Sequence, residues 1–361
     1  MMGGVTSIGA AIVGTGFMGR VHLDALRRLG VNVVGVVGSS REKADASGLA
    51  PAFDSFQAML ADRRVHVVHI TTPNHLHHSQ ARAALEAGKH VVCEKPLAMS
   101  SAESADLLEV ALRSGLVHAL NHNLRFYPLV QHLRGVIAAG DLGEVRLVSG
   151  HYLQDWLLQA AAWNWRVDPS LGGALRAVGD IGSHWMDMTQ FLLGRKITSV
   201  MADLATFIPS RGARSVTTED AATILLRYDG GARAAFAISQ VSPGRKNQLA
   251  FEIDGSSSSA SWSSEEPDEL WIGHGDGPNE LLPRDPNLLN AQGRAASFVP
   301  GGHVEGYADT FRALHATVYR AVTAGVPGED YPTFADGHDM MLVMEAIARS
   351  SREGRWVELN R

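Results

Sequence analysis

The chain is poor in most of what would mark a special environment. A single cysteine, Cys93, stands in 361 residues, so no intrachain disulfide can form and a reducing compartment fits. Charged residues make up only 19% of the chain, and the net charge of −6 is not gathered into a basic or acidic block. Such a surface has no phosphate-tracking stripe and no anchor for anionic lipid, so neither nucleic acid nor a membrane is an expected partner. No apolar run approaches the roughly 20 residues of a membrane-spanning helix. The start, MMGGVTSIGA, lacks a basic segment followed by a long apolar core, and no signal peptide is expected. No internal repeat is evident. What remains is a globular, cytoplasmic protein, 45% hydrophobic and long enough for two domains of ordinary size.

What the chain does have is glycine at a meaningful spacing. Residues 7–13, SIGAAIV, read as a short apolar strand. GTGFMG follows, with Gly14, Gly16 and Gly19 around Phe17 and Met18, and residues 20–29 then carry apolar positions at helical spacing. Strand, glycine turn and helix are the setting in which G-x-G-x-x-G binds a dinucleotide. The backbone turns tightly and approaches a pyrophosphate lying on the helix N-terminus. A second strand, NVVGVV, ends at Val37. An acid for the ribose hydroxyls is expected about 20 residues beyond the glycines, and Ser39, Ser40 and Arg41 stand there instead. Either Arg41 and the serines receive a 2′-phosphate, or a serine caps the next helix and Arg41 is solvated. With no acid to repel a 2′-phosphate, the reading leans to NADP over NAD.

Strand and helix keep alternating. VHVVHI is a buried strand broken by TTPNH. LHHSQARAALEAG is a helix, HVVCEKP the next strand, and SSAESADLLEVALRSG a helix with a capping box from Ser100 to Glu103. LVHALNHN makes the next strand. This order predicts a doubly wound parallel sheet whose ligands bind at the carboxyl ends of the strands. Thr72, Pro73, Asn74, His77, Glu94, Lys95 and Asn123 fall there and are candidate cofactor contacts. His66, His69, His75, His77 and His78 crowd together, but their spacing matches no common ligand set and no metal is expected. Cys93 reads as a small buried hydrophobe.

Further on, residues 172–187, GGALRAVGDIGSHWMD, place Asp180 and His184 four apart. On an α-helix they share one face. A carboxylate against an imidazole can fix its tautomer and raise its basicity, which suits proton transfer near neutral pH; the same pair also occurs as a surface hydrogen bond or a helix cap.

Several motifs together point to a family. GTGFMG, TTPNHLHH at 71–78, CEKP at 93–96, NHNLRFYP at 121–128 and GDIGSHWMD at 179–187 resemble those of the Gfo/Idh/MocA-type oxidoreductases. The resemblance implies an N-terminal Rossmann domain and a C-terminal α/β domain with an open, mainly antiparallel sheet. It implies catalysis by Lys95, Asp180 and His184, a cis bond before Pro96, and a homo-oligomer, dimer or tetramer. The missing acid near Ser39 departs from an NAD-binding pattern.

The expected division is 1–126 for the dinucleotide domain and 127–361 for the substrate domain. GEVRLVSGHYLQDW, SVMADLATF, DAATILLRYD, ARAAFAISQV and NQLAFEIDG read as antiparallel strands. Residues 274–303 read as a long loop ending at PGGHVEGY, which brings His303, Glu305 and Tyr307 to a helix; a further helix starts near Asp336. Trp156, Trp163 and Trp165 cluster with Gln154, Asp155, Asn164 and Arg166. That cluster is either a stacking platform for a sugar ring or part of a core or interface. The candidate substrate contacts are Lys95, Asn123, Arg125, Gln154, Asp155, Trp165, Arg166, His184 and His303. The expected activity is an NAD(P)-dependent dehydrogenase of a neutral sugar, anhydro-sugar or inositol-like polyol. The alternatives are an NAD-dependent glycoside hydrolase on the same fold and a cofactor-sensing regulator.

Overall fold

A computed structural model describes residues 7–328 and 330–359. The chain divides into two compact units, Met1–Asn123 with Ala308–Met341, and Leu124–Tyr307 with Leu342–Arg361.

The first unit opens with β1 (Gly9–Val13), α1 (Phe17–Arg28), β2 (Asn32–Val37), α2 (Arg41–Ser47), α3 (Phe56–Ala61), β3 (Val67–Ile70), α4 (His77–Glu86), β4 (His90–Cys93), α5 (Ser101–Ser114) and β5 (His118–Leu120). The strands form one parallel sheet in the order β2-β1-β3-β4-β5. β1, β3 and β5 are buried along their whole lengths, as expected for strands covered on both faces. Local capping starts the helices. Ser40 accepts from the Lys43 N–H, Ser100 accepts from the Glu103 N–H, and Glu103 reaches back to the Met99 N–H at 2.9 Å.

The sheet has five strands, one for each of the five segments read as strands in this half of the sequence. Residues between β2 and β3 fold as α2 and α3, with only a single bridge from Ala52 to Val36. EKP therefore follows the fourth strand.

The second unit holds α6 (Pro128–Ala139), β6 (Leu147–Leu153), α7 (Pro169–Gly172), a π turn at Val178–Gly182 and α8 (Ser183–Leu193). Then come β7 (Ile197–Ala205), β8 (Ser210–Arg211), β9 (Arg214–Ser215), β10 (Ala221–Tyr228), β11 (Arg233–Ser239), β12 (Gln248–Asp254), β13 (Ser258–Ser263), β14 (Glu269–His274), β15 (Glu280–Pro283) and α9 (Ala291–Ala295). The chain ends with α10 (Tyr307–Ala324), α11 (Phe334–Glu353) and β16 (Val357–Glu358).

The large sheet runs β15-β14-β13-β12-β6-β11-β10-β7-β16. Only the β11–β6 pair is parallel. Burial alternates along the strands. Ala222, Ile224, Leu226 and Tyr228 of β10 are buried, while Thr223 and Leu225 are exposed. α8 packs on the buried face. Its Trp185 stacks on Phe236 with ring centroids 4.2 Å apart and donates to the Ala250 carbonyl at 3.0 Å. Gly150 makes this possible, because a Cβ there would lie 2.7 Å from the indole nitrogen.

Two expectations about this half change. Residues 274–303 contain β15 and α9 rather than one long loop, and buried Arg284 ties them together through Asp268, Glu305 and the carbonyls of Val299, Pro300 and His303. The expected boundary at 126/127 lies close to the observed one, but Ala308–Met341 belongs with the first unit. α10 buries Phe311, Leu314 and Val318 there. Among the described residues, no helix is long and apolar enough to cross a membrane.

Candidate active site

The three glycines of the loop have three different surroundings. Gly14 has φ +108°, and a Cβ there would meet the Thr71 carbonyl at 2.7 Å. A Cβ on Gly19 would lie 2.1 Å from the Gly14 carbonyl oxygen. A Cβ on Gly16 would meet nothing within 4 Å. Turn, packing and open approach are thus divided among them as a pyrophosphate site requires. Gly16 is also the N-cap of α1, with no side-chain cap and no acid in the first turn. Gly16 and Phe17, at the start of this 12-residue helix, are exposed, and a helix N-terminus suits an anion. A dinucleotide fits these residues. Phe17 and Met18 begin α1, and Phe17 is exposed.

The segment after β2 bears on the choice of cofactor. Ser40 caps α2. Arg41 donates through Nε to Asp45 at 2.8 Å and through a terminal nitrogen to Asp54, and these acids raise its pKa, the Asp45 bond most. Two nitrogens of the half-exposed guanidinium are thus paired with surface carboxylates. Ser39, beside them, is exposed.

At the ends of β3 and β4 the polar groups turn inward. Thr72 donates to Gln80 at 2.7 Å, Pro73 leads into a short 3₁₀ turn at Asn74–Leu76, and Asn74 is buried. His77 lies between the carbonyls of Pro96 (2.7 Å) and Thr72 (2.9 Å), and burial pushes its pKa down despite both. Glu94 is buried and accepts from His22 at 3.0 Å, Asn121 at 2.7 Å and the Lys95 N–H at 3.2 Å. Burial opposes its charge, but the His22 bond and the nearby charges outweigh that and hold it below the usual range. Glu94 therefore supports the turn that carries Lys95. The Lys95–Pro96 bond is cis, as expected. Asn123 is buried and donates to Thr310 at 2.7 Å. Cys93 is buried, and burial raises its thiol pKa well above the usual value.

In the second unit, Asp180 lies in the π turn and His184 in the first turn of α8. Glu219 starts this segment by accepting from the N–H groups of Arg176 (3.0 Å) and Val178 (2.8 Å). The wider π turn alters the α-helical stacking expected for positions four apart. Asp180 is gripped from its two sides, by Arg166 Nε at 3.0 Å and Gln240 Nε2 at 2.8 Å. The Arg166 guanidinium sits 4.4 Å over the Trp165 ring. His184 is buried, with its ring 6.4 Å from that of Tyr152. Tyr152 donates to Asn247 at 2.8 Å, and burial raises its pKa.

Other candidate substrate residues are committed elsewhere. Arg125 and Asp187 form a buried two-point ion pair, with Arg125 5.2 Å over the Phe191 ring. Breaking such a pair costs about 3–5 kcal/mol, so Arg125 is first a structural group. Gln154 donates to Asn247 and accepts from Trp156. Asp155 pairs with Lys246 at 2.6 Å, which, with the Gly244 N–H at 3.1 Å, holds its pKa down. His303 is exposed, and its carbonyl accepts from Arg284. Gln240 is the residue the sequence concealed. It lies just beyond β11, and no local pattern marks a glutamine in SQV as the partner of an acid 60 residues away. Of the histidine crowd, His66 accepts from the Gly9 N–H at 2.9 Å and His78 pairs with Asp106 at 2.7 Å, while His69 lies buried in β3.

A Rossmann sheet with an open glycine loop, joined in one chain to a mainly antiparallel sheet bearing Asp180 and His184, defines a two-domain oxidoreductase that uses a nicotinamide dinucleotide. Residues 8–122 match the oxidoreductase family with an NAD-binding Rossmann fold, and residues 130–261 match a Gfo/Idh/MocA C-terminal domain. The chain belongs to the Gfo/Idh/MocA oxidoreductase family. A levoglucosan dehydrogenase of Pseudarthrobacter phenanthrenivorans is 29% identical, with 98% of each chain covered. The solved structure of a levoglucosan dehydrogenase in complex with NADH superposes with a TM-score of 0.91 at 28% identity, covering 98% of this chain and 99% of that one. An inositol dehydrogenase homolog from Azotobacter vinelandii, complexed with NAD+, gives 0.88 at 27% identity, with 97% of each chain covered.

Proposed function

We propose that the protein is an NAD(H)-dependent dehydrogenase of neutral pyranoses and anhydro-sugars, acting on a secondary hydroxyl, with Lys95, Asp180 and His184 carrying the proton chemistry. The observation that carries the reading is the Asp180 carboxylate, clamped by Arg166 and Gln240 on the segment that bears buried His184. The bound nicotinamide supplies hydride transfer. His184 takes the hydroxyl proton, Lys95 binds the reacting oxygen and lowers its proton affinity, and Asp180 supplies fixed negative charge. Arg125 and Arg166 are each paired with an acid, which favours an uncharged ring over a phosphorylated one. Trp165 is half-buried, and an indole ring suits the C–H side of a sugar. The levoglucosan dehydrogenase name of a relative matched over nearly its full length supports an anhydro-sugar.

Between NADP and NAD, our reading here is NAD(H). Arg41 is held by Asp45 and Asp54, and those carboxylates would repel a 2′-phosphate. We place the protein in the cytoplasm, in keeping with its one free, buried cysteine. We also read it as a homo-oligomer formed through the outer face of the large sheet.

The test is a screen of levoglucosan, glucose, xylose, myo-inositol and a sugar phosphate with NAD+ and NADP+, following the reduced cofactor. NADH should accumulate with a neutral sugar, and NAD+ should be preferred. Lys95→Ala and His184→Ala should each lower kcat by about 10²–10⁴-fold while NADH still binds. Preference for the sugar phosphate, or near-normal kcat in His184→Ala, would sink the reading. Glycoside cleavage without net NADH would move the protein to the hydrolase alternative.

A further inference from the structure

Three histidines from distant parts of the sequence meet inside the first unit. His22 lies on α1, His69 on β3 and His315 on α10, and each is fully buried. Their ring centroids are 5.2, 4.8 and 4.9 Å apart, and one nitrogen from each lies within 4.8 Å of the others. His22 Nδ1 and His69 Nδ1 face each other at 2.9 Å. The opposite nitrogen of each ring is held from outside the cluster, His22 Nε2 by Glu94 at 3.0 Å and His69 Nε2 by the Tyr319 hydroxyl at 3.0 Å. Neither nitrogen of His315 has a hydrogen-bond partner among the described residues. The proposed catalytic roles use none of these rings.

A chain of neutral groups could satisfy two of the three. Tyr319 would donate to His69, His69 to His22, and His22 to Glu94. That arrangement leaves His315 buried with both nitrogens bare, the state a folded protein avoids. An ion among the rings changes this. Each ring offers an inward lone pair, and the outer N–H groups of His22 and His69 donate to a carboxylate and a hydroxyl. A carboxylate or hydroxyl behind a ligating imidazole is the support that metal-bound histidines regularly have. Zinc bonds imidazole nitrogen at about 2.0–2.1 Å, which sets tetrahedral nitrogen pairs roughly 3.3 Å apart. The cluster, at 2.9 to 4.8 Å, brackets that spacing.

We propose that His22, His69 and His315 form a buried site for a zinc-type divalent ion, which would join α1, β3 and α10 within the Rossmann unit. All three ligands are nitrogens, which favours zinc, nickel or cobalt over magnesium or calcium. The fourth tetrahedral position falls to a water. Because the rings are sealed from solvent, the ion enters as the unit folds, which sets it apart from ions picked up by surface histidines.

The experiment unfolds the untagged, full-length protein in denaturant with a chelator, then refolds it with Zn²⁺, with Co²⁺, or with chelator alone. After gel filtration, metal is counted by mass spectrometry. The wild type should retain one ion per chain, show the visible bands of tetrahedral Co²⁺, and melt higher than the chelator-refolded form. His315→Phe keeps the ring volume and should lose the stoichiometric ion and the cobalt bands. Tyr319→Phe removes only the hydroxyl behind His69 and should weaken the ion's affinity by about 10–100-fold. Refolded wild type without retained metal, or His315→Phe retaining as much as wild type, overturns the proposal. If His315→Phe does not fold, the wild-type count and the Tyr319→Phe affinity decide the matter alone.

Discussion

Single atoms separate the roles of the loop glycines. A Cβ on Gly19 would strike the Gly14 carbonyl at 2.1 Å, whereas one on Gly16, whose φ of −76° any residue adopts, would strike nothing in the chain. Gly19→Ala should therefore lower stability by about 1–3 kcal/mol, the usual cost of overpacking, and weaken cofactor binding with it. Gly16→Ala should leave the melting temperature unchanged and weaken NADH binding by roughly tenfold or more, about 1.4 kcal/mol per factor of ten. Calorimetry and an NADH fluorescence titration separate the two. A Gly16→Ala protein that binds NADH normally would remove the pyrophosphate from that position.

Elements are joined by groups whose protonation matters. The His118 ring on β5 accepts from the Phe334 N–H at the start of α11 at 3.2 Å, so its Nδ1 must be bare. Burial, only partly offset by Asp336, lowers its pKa from 6.5 to about 4. Between those values the unfolded chain binds a proton that the folded chain refuses. Stability should thus fall as the pH drops from about 6.5 toward about 4, with this ring contributing on the order of 3 kcal/mol over the full range. His118→Asn keeps an acceptor and cannot titrate. Urea unfolding at neutral pH and near the lower end of that window should show a smaller acid loss in the variant. An equal loss in both proteins would assign the acid sensitivity to other groups.

The same scale shows how local signals become structure. The caps at Ser40 and Ser100 and the burial of β1 follow from short patterns in the sequence. The interrupted loop at 274–303 does not, because β15 forms only by pairing with β14, and Arg284 finds its acids by folding.

For the whole molecule, the large sheet sets the question of assembly. One row across its outer face runs Met201, Leu225, Ala235, Ser149 and Glu252 through the pairings of β7, β10, β11, β6 and β12. Leu225, a large apolar side chain, is 42% exposed in this row, and a second copy of the chain is the cover we propose for it. Leu225→Arg should shift the protein to a monomer in sedimentation or light scattering with the fold retained by circular dichroism. An unchanged mass would place any interface elsewhere.

The sequence by itself determined the glycine loop, the strand–helix alternation and the segment bearing Asp180 and His184. These are local patterns of period and spacing, and they act before the chain folds. Only the tertiary structure decided what each polar group does. Arg41 turned to Asp45 and Asp54, Arg125 to Asp187, Gln240 to Asp180, and His22 to His69. These partners are mostly distant in sequence; Gln240 and Asp180, for example, are separated by 60 residues. Burial makes pairing obligatory for such groups, but which partner is within reach is set by how sheets and helices pack, and no short window of sequence contains that.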